Sequence, residues 1–90
     1  MFTDMAVIVE VHHTGDLELR ADVVAAVEHV FADRLRDWRV SIVGSRANDR
    51  WEMKIVGPNG FERSCTLEGS AGQHEPDVIR AIVGKMVPKV

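Results

Sequence analysis

A single cysteine in 90 residues leaves this chain without an intrachain disulfide or a multi-cysteine zinc site. That thiol, Cys65, suits a reducing compartment. No stretch approaches the roughly 20 apolar residues that a membrane-spanning helix needs. The first residues, MFTDMAVIVEV, lack a basic segment and carry Asp4 and Glu10. A signal peptide is therefore not expected, and a cytoplasmic location is. No internal repeat, linker or low-complexity segment divides the chain, so residues 1–90 are expected to form one domain. A domain of this size buries about two-thirds of its unfolded surface without staples. A strongly basic balance is lacking too: the formal net charge is −3 and the pI is near 5.7. Dedicated nucleic-acid modules are usually basic.

What is present is the composition of an ordinary globular protein, 46% hydrophobic and 28% charged. The charges are distributed unevenly. Residues 1–33 hold seven acids against Arg20 alone, a balance of −6, whereas residues 34–63 hold seven bases against four acids, a balance of +3. Solvated surface charge accounts for this pattern, and two faces of opposite sign are the alternative.

The segment Trp51–Leu67, WEMKIVGPNGFERSCTL, gives the clearest local signal. Two strand-like runs flank Gly57-Pro58-Asn59-Gly60, whose backbone preferences favour a chain reversal. Pro58 would pre-set φ at the second turn position, Asn59 would take the third, and Gly60 would resume the strand at positive φ. A β-hairpin follows. In its first arm Trp51, Met53 and Ile55 alternate with Glu52, Lys54 and Val56. In its second, Phe61, Cys65 and Leu67 share a face with Arg63, and a bulge at Gly60 is one way to shift that register. Upstream, Ala6–His13 reads as a strand, with Val7, Val9 and Val11 opposite Ile8, Glu10 and His12. Thr14-Gly15-Asp16 is a turn, and Leu17-Glu18-Leu19 either extends it or opens the next helix. That helix is expected from about Arg20 to Asp37, on a stripe of Val24, Val27, Phe31, Leu35 and Trp38 widened by Val23 and Val30. Asp16 or Asp22 would cap it. Arg39–Ser45 reads as a strand with Val40 and Ile42 on one face and Ser41 and Val43 on the other. A second helix should begin near His74 or Glu75, with Pro76 in its first turn and Val78, Ile79, Ile82, Val83 and Met86 as its stripe, ending at Pro88.

The resulting order, β-α-β-β-β-α, predicts an α+β two-layer sandwich: an antiparallel sheet with both helices on one face. Residues 20–87 alone give α-β-β-β-α. In topology this resembles the double-stranded-RNA-binding domain, although that family's lysine-rich start to its second helix is replaced here by Gln73-His74-Glu75-Pro76-Asp77.

No set of nucleophile, base and orienting group can be assembled from these residues, so no enzyme, cofactor or metal is expected. Neighbours on a strand point to opposite faces, so His12 and His13 cannot easily chelate one ion together. Cys65, mid-strand beside Phe61 and Leu67, reads as a small buried hydrophobe. The loop Gly69-Ser70-Ala71-Gly72 lacks the lysine of a phosphate-binding loop, and Glu75 and Asp77 guard the helix behind it.

Two binding surfaces remain. A sheet covered on one side should display Ile8, Ser41, Val43, Lys54 and Val56 on the other, a mixed surface suited to a protein partner or a second copy. Alternatively Arg39, Arg46, Arg50 and Arg63, with Lys54 and an aromatic platform at Trp51, would contact nucleic acid or another anion.

Overall fold

In the computed structural model, which describes residues 7–33, 37–45 and 49–87, the chain forms four strands and two α-helices in the order β-α-β-β-β-α. The strands are β1 (Val7–His12), β2 (Trp38–Val43), β3 (Arg50–Val56) and β4 (Glu62–Glu68), and they lie side by side in chain order. The helices are α1 (Leu17–Val30) and α2 (Pro76–Met86).

Helix α1 starts earlier than its apolar stripe suggests, because Asp16 caps it. The Asp16 carboxylate accepts from the backbone N–H of Glu18 at 2.8 Å and of Leu19 at 3.4 Å, which settles Leu17-Glu18-Leu19 as the first helical turn. It also ends earlier, at Val30, and Phe31 to Asp33 form a 3₁₀ turn. Trp38, which extends the helical spacing in the sequence, is instead the first residue of β2. Its ring lies between Phe31, at 5.2 Å between centroids, and Phe61, at 5.0 Å. Leu35 and Pro88 fall outside the described residues. In α2, Pro76 occupies the first turn, Ile79 and Val83 are buried, and Val78 is exposed rather than part of the stripe.

The sheet is mixed, not antiparallel throughout. β2, β3 and β4 are antiparallel neighbours, but β1 runs parallel to β2, with Val7 opposite Trp38 and Val11 opposite Ile42. The physical reason is the crossover. A helix between two adjacent strands returns the chain to the end it started from, whereas a hairpin reverses it.

Alternation along the strands turns one face of the sheet to both helices. Val7, Val11, Trp38, Val40, Ile42, Trp51, Met53, Ile55 and Leu67 are buried there against Val23, Val27 and Phe31 of the first helical segment and Ile79 and Val83 of α2. Two glycines let backbone and side chains approach closely. A Cβ on Gly57 would sit 2.4 Å from the Trp38 ring, and one on Gly44 would sit 2.1 Å from the His13 carbonyl oxygen.

The hairpin reverses one residue later than its proline suggests. The Phe61 N–H donates to the Pro58 carbonyl, so Asn59 and Gly60 are the central turn residues, at φ of 60° and 79°. Paired positive φ at Asn-Gly matches the right-handed twist of the flanking strands. From Val56–Glu62 to Arg50–Glu68 the register runs without a slip.

Candidate interaction surface

Pairing register places the candidate residues on the uncovered face of the sheet in successive rows. Ile8, Arg39, Val56 and Glu62 form one row across the four strands. Glu10, Ser41, Lys54 and Ser64 form the next, and His12, Val43, Glu52 and Thr66 the third. Ile8, Val43 and Val56 are 52%, 39% and 38% exposed, large values for aliphatic side chains on strands. They do not touch one another in a single patch: Arg39 separates Ile8 from Val56, and Val43 lies two rows away.

The polar residues between them pair across the strands. Lys54 Nζ is 2.9 Å from Glu62 Oε2, Thr66 Oγ1 donates to the Glu52 carboxylate at 3.2 Å, and Arg50 Nε is 4.0 Å from Glu68 Oε1. Three cross-strand polar pairs thus lie among the exposed aliphatic side chains of this face.

The arginines of the alternative surface are not gathered. Arg39 and Arg50 are on the uncovered face but at opposite ends of it. Arg63 faces the other way, opposite Ile55, where its guanidinium donates to the Glu62 carbonyl at 2.9 Å and lies 5.1 Å above the Phe61 ring. Arg46 lies outside the described residues. Trp51 is buried on the helix side and stacks on the His74 ring, with centroids 3.6 Å apart and planes 9° from parallel, so no base can stack on it.

His74 belongs to a junction that the sequence hid. Its Nε2 lies 2.9 Å from the Leu67 carbonyl oxygen, which can only accept, so that nitrogen carries the proton. Beside it, the Asp49 carboxylate accepts from the Ser70 N–H at 2.8 Å, and the Asp49 carbonyl from the Gly69 N–H at 2.9 Å. The Ser70 N–H bond holds the Asp49 carboxyl below its ordinary value, against an opposing effect of desolvation. An aspartate just before a strand is the one signal the sequence offers here, and by itself it marks nothing more than a loop.

Cys65 is half-buried on the helix-facing side, packed against the core. Burial pushes its thiol up from the ordinary value, and the Glu52 charge adds to the shift, opposite to what a reactive thiolate requires. His12 closes β1 while His13 leaves it with φ of 59°, and their rings stand 6.4 Å apart. Among the described residues no three metal-ligating side chains converge, and no helix is long and apolar enough to cross a membrane.

No protein-family model matches the chain, and no curated protein matches it.

Proposed function

We propose that this chain is a small non-enzymatic domain that works by protein contact through the uncovered face of its sheet, with a second copy of itself as the partner. The observation that carries the reading is the one-sided sandwich. Both helices cover one face, and the other offers Ile8, Val43 and Val56 to solvent. The strands turn Glu10, Glu52, Glu62 and Glu68 to this face together with Arg39, Arg50 and Lys54. A face of mixed and nearly balanced sign can meet its own copy without net repulsion. The single thiol accords with a cytoplasmic setting.

Light scattering across a concentration series tests this. The mass is expected to rise above one chain with concentration, and Val43→Lys combined with Val56→Lys is expected to move that rise to higher concentration. A parent protein that stays at one chain throughout removes self-association and leaves only a different protein partner. Nucleic-acid binding has weaker support, because its arginines are dispersed over two faces. Generic RNA or DNA at low salt, where phosphate contacts are strongest, is expected to leave the mass unchanged.

A further inference from the structure

The outer edge of β4 is the second surface that can pair, and its hydrogen bonding defines how. The Phe61 N–H and C=O both bond back toward the first arm of the hairpin, to Pro58 and Gly57, and the Gly69 N–H bonds to Asp49 at the far end. Odd-numbered residues of β4 therefore direct their backbone groups at β3. Glu62, Ser64, Thr66 and Glu68 direct theirs outward, away from the sheet.

Two of these four are already engaged. The Glu68 N–H donates to Gln73 Oε1 at 2.8 Å, and its carbonyl accepts from the Gln73 N–H at 3.0 Å. At the other end the Glu62 carbonyl accepts from Arg63. What remains among the described residues is a window of two residues, Ser64 and Thr66, with an outward donor and acceptor on each. Both side chains are exposed. The window is symmetric about Cys65.

One partner register pairs both free residues and calls on no group that is already engaged. Centring an antiparallel copy on Ser64 would call on the engaged Glu62, and centring it on Thr66 would call on the doubly engaged Glu68. Centring on Cys65 sets Ser64 of one chain opposite Thr66 of the other, twice, and completes four backbone hydrogen bonds. Opposed serine and threonine are favourable cross-strand neighbours. The acids that flank the window each have a cation nearby in their own chain, Lys54 for Glu62 and Arg50 for Glu68.

We infer that β4 pairs with β4 of a second copy about a two-fold axis at Cys65, joining two four-stranded sheets into one of eight. The axis is perpendicular to the sheet, so both helix layers fall on one side and both uncovered faces on the other. This pairing is independent of the face-to-face contact proposed above, and it widens the same face. The contact is short and belongs with weak, concentration-dependent interfaces.

Substituted cysteines read the register directly. In a Cys65→Ser background, Ser64→Cys and Thr66→Cys are prepared as separate proteins and treated with a short bifunctional thiol-alkylating reagent. Mixed, they are expected to give a cross-linked heterodimer in higher yield than either protein gives alone, because opposite positions are closer than diagonal ones. A yield from Ser64→Cys alone or Thr66→Cys alone that equals or exceeds the mixture, or no cross-link in any combination, overturns the inference. Thr66→Pro supplies a second reading. Its lost N–H faces outward and leaves the bonds to β3 intact, so proline suits this position in the folded monomer. With its melt checked against the parent, Thr66→Pro added to the Ser64→Cys protein is expected to abolish the cross-link to the Thr66→Cys protein, whereas Val43→Lys added in its place is expected to leave it. Loss in Val43→Lys with retention in Thr66→Pro assigns all association to the uncovered face and overturns the edge.

Discussion

Phe31 is fully buried where the first helical segment leaves α1, against the Trp38 ring and under the apolar face of the sheet. Removing it leaves a cavity in the one core the domain has. Phe31→Ala is therefore expected to cost about 3–5 kcal/mol, a large share of the roughly 5–15 kcal/mol that holds a domain together. Cys65→Ser changes little volume at a half-buried position and is expected to cost less, the added hydroxyl lying where solvent can still reach it. Thermal melts of the two variants check the order. Phe31 was legible as core from its spacing to Val27, yet its partner was not. Trp38 stands seven residues on, and the period of the helix absorbs it as readily as the strand does. Only the early break after Val30 separates the two, and helix spacing in the sequence carries no mark of it.

At the scale of elements, side-chain alternation made the faces of β1, β2 and β3 readable in advance, including the outward placement of Ile8, Ser41, Val43, Lys54 and Val56. Alternation has no sense of direction, so the direction of β1 follows instead from the crossover helix in the element order, which favours a parallel pair and which the expectation of a wholly antiparallel sheet left unused. The junction between β3 and the loop before α2 escaped for another reason. It is built from backbone groups that no side-chain pattern announces. Asp49 anchors it, and the sign of its titration gives a test. Its carboxyl sits below the ordinary value of 3.8 in the folded chain, so its stabilising effect is complete above that pH and fades as pH falls through the lowered value. Asp49→Ala is expected to melt below the parent near neutrality, and the gap is expected to narrow on acidification below about 3.8. A gap that persists unchanged in acid contradicts a role for the ionised carboxylate.

The whole molecule is a charged shell around a one-sided core. Glu18, Asp22 and Glu28 of the acidic first third lie on α1, while Arg39, Arg50 and Lys54 of the basic middle lie on the uncovered sheet face. The asymmetry along the sequence does not become a difference in net charge between layers, because the sheet face also carries Glu10, Glu52, Glu62 and Glu68. By its face and by the β4 edge, the sheet is the proposed meeting place of two copies. Backbone amide shifts followed by nuclear magnetic resonance over a dilution series test it most directly. Concentration-dependent shifts are predicted at Ile8, Ser41, Val43, Lys54 and Val56 on the face and at Ser64 and Thr66 on the edge, with α1 and α2 unchanged. Shifts that map to the helices, or none at any concentration, would contradict it.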